Sequence, residues 1–160
     1  MELLTDQQII EYFRRSYRAA DGLWFMKVEE TCGFDCALQL DLEVWKIVPK
    51  IQARMIKSML HLGDTRDDLI NSLKTKLFLE GFKSTEEKIK NGFKIKIIDC
   101  PWHNLMIKSK RVKFSGKIGA KICNVEYYVW VSEFGGKFKF KLEAQKCKNS
   151  KYCIFSFIKN

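Results

Sequence analysis

The chain has 160 residues, of which 46% are hydrophobic and 13% aromatic, and it carries a net charge of +10. This length and composition are typical of one globular domain and exclude extensive disorder. No apolar run approaches the roughly 20 residues of a membrane span, and the N-terminus lacks the basic-then-apolar pattern of a secretory signal. We therefore expect one cytoplasmic domain over residues 1–160, without a membrane partner.

The positive charge is unevenly distributed along the chain. Residues 1–50 hold six Lys/Arg and nine Asp/Glu, whereas residues 51–160 hold 23 and ten. Most of the excess is lysine that alternates with apolar residues, which is typical of the solvent side of strands. No basic and aromatic recognition motif accompanies the charge, so the sequence argues against nucleic acid as a partner.

Helical patterns dominate the first half of the chain. Thr5 or Asp6 can cap a helix over about 6–20, and the pair Asp21-Gly22 is expected to interrupt it. Apolar residues then recur at helical spacing until Gly33, which predicts a second helix that ends there.

Two further features punctuate the helical half. A third helical stretch, capped by Asp35, runs to about Leu62, and Pro49 within it predicts a kink or a break. The next helix restarts at Gly63-Asp64-Thr65 and closes before Gly81. These patterns predict that residues 1–82 are mainly helical.

The second half changes its period. Residues 93–97, 137–142 and 152–158 alternate apolar side chains with lysine or other polar residues, which predicts strands of an antiparallel sheet with one solvated face. Residues 117–134 fit a helix and a strand equally well, because both spacings occur there. We therefore expect an α+β subregion over residues 92–160.

The chain contains six cysteines, which could form disulfides, bind a metal or act as reactive thiols. In a cytoplasmic protein they are expected to be thiols or ligands rather than disulfides, and no Cys-x-x-Cys pair occurs. Cys32 and Cys36 are four residues apart, which would place them on one face of a shared helix.

The other cysteines suggest a site around Cys100-Pro101-Trp102-His103. Three hypotheses stay open: the side chains bind zinc or another divalent metal, one cysteine is a nucleophile, or all are inert core residues. For the second hypothesis Cys100 is the first candidate, activated by His103 or Arg111. The candidate metal ligands are Cys100, Cys123, Cys147 and Cys153, with Cys147 and Cys153 flanking a predicted hairpin turn.

Two segments of the helical half mix aromatic and charged residues. Residues 21–30 contain Trp24 and several acids, and residues 44–54 contain Trp45 and several cations. If these opposite charges pair between neighbouring helices, they leave a polar pocket floored by the two tryptophans, suited to a small ligand with a carboxylate and an amine. The alternative is a solvated charged face over a tryptophan core.

Several segments together carry a family resemblance. They are Asp21–Glu30, Val44–Lys46, Pro49–Arg54, Cys100-Pro101-Trp102, Arg111, Ile122-Cys123, Trp130 and Glu133-Phe134. From about residue 10 to 134 the chain resembles a family from anaerobic archaea and bacteria, grouped with the L-2-amino-thiazoline-4-carboxylate hydrolase-like proteins.

The C-terminal run from Glu143 to Phe155 resembles the end of the vinyl-4-reductase domain, a small-molecule-binding module with the fold of Bet3-like proteins. Lys148-Asn149-Ser150-Lys151 replaces the customary Gly-Asp turn of that domain. The resemblance implies an α+β fold with a helical N-terminal half, followed by a helix over 117–134 and a small antiparallel sheet. By analogy it also implies a homodimer.

The resemblance further implies candidate residues for a hydrolase acting on a non-peptide C–N bond. Cys100 or a metal would supply the activated nucleophile, His103 or Glu126 the general acid, and Arg111 or Arg54 the cation for a carboxylate. The candidate ligand-binding residues are Trp24, Glu29, Trp45, Lys50, Arg54, Trp102 and Trp130.

The leading hypothesis is a small-molecule-binding domain of this family, with or without a cysteine-bound metal. The alternatives are a hydrolase that opens a cyclic amidine-like C–N bond, such as that of 2-amino-thiazoline-4-carboxylate, and a non-catalytic ligand sensor or dimeric scaffold.

Overall fold

The computed structural model describes residues 3–160, which form six α-helices and a four-stranded sheet. Helix α1 spans Asp6–Cys32 and begins with a capping box, in which the Thr5 side chain accepts the backbone N–H of Gln8 and the Gln8 side chain accepts that of Thr5. Gly33 ends the helix with a φ of 85°, a conformation that glycine adopts without strain.

The predicted interruption at Asp21-Gly22 is wrong, because α1 continues through both residues. A glycine inside a helix costs only about 1 kcal/mol relative to alanine. Packing offsets this cost, since Phe25, on the next turn, is buried with Leu38 and Trp45 of the helix that follows α1.

Helix α2 spans Phe34–Trp45, α3 Val48–Met59 and α4 Arg66–Leu79. The predicted break at Pro49 is confirmed, because this residue lies in the first turn of α3, where a missing N–H leaves no helical bond unmade. The Thr65 side chain caps α4. Asp35 lies in the first turn of α2 and is not its cap, which is Gly33.

The two N-terminal cysteines depart from the prediction. Because Gly33 ends α1, Cys32 and Cys36 do not share a helix, and a disulfide joins them across the junction of α1 and α2. The expectation that the cysteines are all thiols or ligands is therefore wrong for this pair.

The sheet comprises β1 (Lys83–Ile89), β2 (Gly92–Asp99), β3 (Phe138–Ala144) and β4 (Cys153–Lys159). The strands are antiparallel and lie in the order β1-β2-β4-β3. The three strands expected from alternation are present. The edge strand β1 was not predicted, since its sequence is largely charged and exposed and lacks the alternation that marks a half-buried strand.

The predicted solvated face is also confirmed. Phe93 and Phe157 stack on the buried face, with ring centroids 4.6 Å apart. On the other face Lys94 pairs with Glu143 of β3 at 2.8 Å. The sheet therefore turns its aromatic side chains to the core and its lysines to solvent.

Two helices lie between β2 and β3 in the sequence. Helix α5 (Pro101–Lys108) was not predicted, and α6 (Val112–Ser132) decides the ambiguous segment in favour of helix. A short 3-10 helix, Lys146–Lys148, lies in the connection between the antiparallel strands β3 and β4.

Buried side chains form two clusters that α6 connects. One cluster joins the sheet to α3, α4 and α6, with Trp130 and Phe157 fully buried. The other joins α1 and α2 to Ile122 of α6. The predicted α+β class, a helical N-terminal half followed by a helix and a small antiparallel sheet, is confirmed.

Along residues 3–160, no helix is both long and apolar enough to cross a membrane.

Candidate functional site

A cavity of about 420 Å³ lies where α1, α2, α5 and α6 meet one end of the sheet. Apolar side chains provide most of its wall, and Trp45 and Trp102 meet edge to face with ring centroids 6.1 Å apart. The four cysteines outside the disulfide line this one space, together with a small set of polar side chains: Arg18, Asp21, Asp41, His103, Ser109, Arg111, Ser115, Tyr127 and Gln145.

Cys100 lies at the N-cap of α5, directly after β2. Burial raises the pKa of its thiol to about 12, although the backbone N–H groups of His103 and Trp102 act in the opposite direction. The thiol is therefore protonated at neutral pH, and this arrangement does not support Cys100 as the nucleophile.

His103 instead contacts Cys147, with Nδ1 3.3 Å from Sγ. The histidine lies in the first turn of α5 and the cysteine in the 3-10 helix before β4. Burial and the charge of Lys146 lower the pKa of His103, so its ring is neutral near pH 7 and free to accept a proton. Since 44 positions separate the two residues, their sequence spacing did not reveal this pair.

The predicted metal site is not assembled. Burial raises the pKa values of the Cys123 and Cys153 thiols, and the Cys153 sulfur accepts the backbone N–H of Lys146 at 3.2 Å. Across the part of the chain that the structure describes, no three or more His, Cys, Asp or Glu side chains are grouped to hold a metal ion. Cys100, Cys123, Cys147 and Cys153 share a cavity but are not arranged as a set of zinc ligands.

Two acidic residues that sequence reasoning missed also face the cavity: Asp21 of α1 and Asp41 of α2. Asp41 is only 4% exposed. Burial raises the pKa of Asp21 to about 6, and burial together with the charge of Asp21 raises that of Asp41 to about 7, while hydrogen bonding to Trp45 opposes both shifts. One signal was available, since Asp41 follows Leu38 and precedes Trp45 at helical spacing on a buried face.

The predicted charge pairing between residues 21–30 and 44–54 is wrong. Arg111, at the edge of the cavity, pairs with Glu29, and both side chains are about one-fifth exposed. Arg54 pairs with Glu133 at 2.6 Å, outside the cavity. Arg111 precedes α6 and Glu133 follows it, so the partners of both segments come from the second half of the chain.

Glu126 and Trp130 lie on the face of α6 turned toward α4, away from the cavity. Glu126 Oε1 is 2.6 Å from Lys76 Nζ, which also pairs with Glu80 at 2.7 Å. The Trp130 indole N–H donates to Ser72 Oγ at 3.0 Å. The predicted general acid and one predicted ligand contact are therefore parts of the core.

The remaining predicted ligand residues divide between the cavity and the surface. Trp45 and Trp102 line the cavity. Trp24 is 45% exposed and is not part of the cavity wall, and Lys50 lies half-buried on α3, outside the cavity. The aromatic floor therefore consists of Trp45 and Trp102 rather than Trp24 and Trp45.

The comparisons with known proteins give a family and no activity. A model described as a family of unknown function, DUF6125, matches residues 2–158, and the chain belongs to this family. No curated protein matches the chain. No solved structure matches it either.

Proposed function

We propose that this member of the DUF6125 family is a small-molecule-binding protein, and that the cavity between its helical half and its sheet is the binding site. The observation that carries the proposal is the cavity itself. Its volume of about 420 Å³ falls in the range of ligand pockets, and its wall combines apolar side chains with a few polar groups.

The chemistry of the wall indicates the kind of ligand. Trp45 and Trp102 offer aromatic faces to an apolar ring. Arg111, at one edge, pairs with Glu29 through one N–H group and offers its remaining N–H groups to a carboxylate. The resemblance to thiazoline-carboxylate hydrolase-like proteins supports the same kind of ligand, a small ring with an acidic and a basic group.

Filling the cavity from Gly22 tests the binding site. A Cβ at this position would meet only Leu105 Cδ2, at 4.0 Å, so the first side-chain carbon of Gly22→Leu has room and the rest of the leucine occupies cavity space. We expect affinity for the neutral fluorophore 1-aminoanthracene to fall at least about tenfold. The free energy of unfolding should stay equal or rise by up to about 1 kcal/mol, because glycine is a poor helix residue.

Fluorescence titration measures the affinity and urea unfolding the stability. Ala20→Leu, on the exposed side of the same helix, adds the same side chain outside the cavity and should bind the probe as the wild type does. Equal affinity of a folded Gly22→Leu variant and the wild type would contradict the proposed site.

A second candidate function is hydrolysis of a cyclic amidine-like C–N bond. The contact of 3.3 Å between His103 Nδ1 and Cys147 Sγ favours it, because a thiol beside a neutral imidazole is an activated nucleophile. This pair takes the role that the sequence assigned to Cys100.

The step balances without a redox partner. His103 takes the thiol proton, and the Cys147 sulfur forms a bond to the amidine carbon. The C–N bond then breaks, and the proton passes from His103 to the departing nitrogen. Water hydrolyses the resulting thioimidate, which restores the thiol and leaves an amide.

Incubation with 2-amino-thiazoline-4-carboxylate and mass detection of the ring-opened product tests this second function. If the wild type turns over, Cys147→Ser and His103→Asn should each lower the rate at least about 100-fold. His61→Asn, a change at an exposed histidine, should leave the rate unchanged. Binding of the compound without any product would exclude the hydrolase and leave the binding function in place.

A further inference from the structure

Within residues 3–160, the acid pair of the cavity, Asp21 and Asp41, has no cationic partner. Each residue lines the cavity from its own helix, and Asp41 is almost completely removed from solvent. Among the ion pairs formed within residues 3–160, none includes either carboxyl group. Burying carboxylates without a nearby cation is costly, so these two carboxyl groups favour the binding of a positive charge.

Among the described residues, the polar side chains at the cavity do not neutralise these two carboxyl groups. Trp45, which acts on both carboxyls, supplies a single indole N–H for four carboxyl oxygens. The two cations at the cavity are engaged elsewhere, since Arg18 donates to the Glu80 carbonyl at 3.3 Å and Arg111 pairs with Glu29.

The other titratable groups around the pair add no positive charge. Tyr17 of α1 and Glu126 of α6 both interact electrostatically with Asp21. If either ionises, to a phenolate or a carboxylate, the potential at Asp21 becomes more negative. His103 of α5 lines the same cavity and is neutral near pH 7. Among the described residues, no side-chain cation pairs with these two carboxyl groups, so a ligand can supply the positive charge at this end of the cavity.

We propose that Asp21 and Asp41 together bind a cationic nitrogen group, an amine or amidine, carried on an apolar body that fills the rest of the cavity. Trp45 and Trp102 lie beside this subsite, and their ring faces also attract a cation. The inference rests on the proposed small-molecule-binding function and names the class of ligand.

Proton release is the signature of this arrangement. Below about pH 7 the raised pKa values keep protons on the pair, and a bound cation favours the ionised form. Cation binding should therefore release protons and become tighter from pH 6 to pH 8. A structural role for the two acids would produce no such linkage.

Three probes of equal length separate charge from shape: 4-phenylbutylamine, 4-phenylbutan-1-ol and 4-phenylbutyrate. In calorimetric titrations at pH 8, the amine should bind at least about tenfold more tightly than the alcohol, and the carboxylate should bind most weakly. At pH 6, where the pair still holds protons, titrations in buffers of different ionisation enthalpy should show proton release for the amine alone.

Asp41→Asn and Asp21→Asn should each remove the preference for the amine while the affinity for the alcohol stays within about twofold. Asp35→Asn, an exposed carboxylate of α2 that pairs with Lys117, is the matched control and should keep the preference. Equal binding of amine and alcohol by the wild type would overturn the cationic subsite while leaving the cavity as a binding site. Failure of all three probes to displace 1-aminoanthracene would overturn the subsite as well, and failure of that fluorophore to bind would contradict the proposed function itself.

Discussion

Replacing Lys76 by methionine is expected to lower the free energy of unfolding by about 3–5 kcal/mol. The Lys76 side chain is 2% exposed, and its Nζ lies 2.6 Å from Glu126 and 2.7 Å from Glu80. Burial alone would lower the pKa of Lys76, but the charges of Glu126 and Glu80 raise it above its usual value, so the ammonium stays charged. Methionine fills similar space and leaves two buried acids without their cation.

Urea unfolding at pH 7.5 measures this effect. Lys74→Met is the matched control on the same helix, because Lys74 is exposed and its pair with Glu86 contributes less than about 1 kcal/mol. The double variant Lys76→Met/Glu126→Leu should recover most of the loss, since an apolar replacement of a buried pair is often neutral. A loss of less than about 1 kcal/mol for Lys76→Met alone would contradict the assigned role of the ion cluster.

The free energy of unfolding is also expected to fall as the pH rises from about 4 to about 8, by about 4 kcal/mol for Asp41 of the cavity. The sign follows from the raised pKa of Asp41, which is about 7 in the folded protein against 3.8 for the free side chain. Between these values the folded state binds the extra proton, so raising the pH removes stability.

Asp41→Asn should flatten this dependence and be more stable than the wild type at pH 8. Asp35→Asn should retain the slope, because the pKa of Asp35 is lowered by its hydrogen bond and charge interaction with Lys117 and it titrates below this range. Chemical unfolding at several pH values provides the measurement. Parallel profiles for the wild type and Asp41→Asn would show that Asp41 does not carry the effect.

These two predictions concern buried charges whose removal has opposite effects on the free energy of unfolding. In the core cluster, Lys76 is the cationic partner of Glu80 and Glu126, and removing this cation alone costs stability. The cavity pair, Asp21 and Asp41, has no such cation among the described residues, and its neutralisation adds stability. A cationic ligand would supply the missing charge, so stability at high pH should rise when such a ligand binds.

Several residues that the sequence singled out lie together. They are Cys100, His103, Arg111, Trp45 and Trp102, which line one cavity. Their partners could not be predicted in the same way, since the contact between His103 and Cys147 joins residues 44 positions apart. Spacing carries information over one or two helical turns and none over such separations.

Errors occurred where tertiary packing overrides local preference. Asp21-Gly22 has the composition of a helix break, yet burial of the flanking side chains keeps α1 continuous. Glu126 was a candidate general acid, but its position on α6 directs its side chain to Lys76. In both cases the deciding contact comes from another helix.

By itself, the sequence determined the class of the fold, a helix start at Thr5 or Asp6, the restart at Gly63-Asp64-Thr65, the break at Pro49 and the lysine-bearing face of the sheet, because each depends on local geometry and short-range periodicity. Only the tertiary structure decided that the cavity brings an acid pair and a Cys–His contact together and that the four cysteines share it without being grouped as metal ligands. Those features depend on which faces of α1, α2, α5 and α6 meet, and side-chain packing over the whole chain determines that.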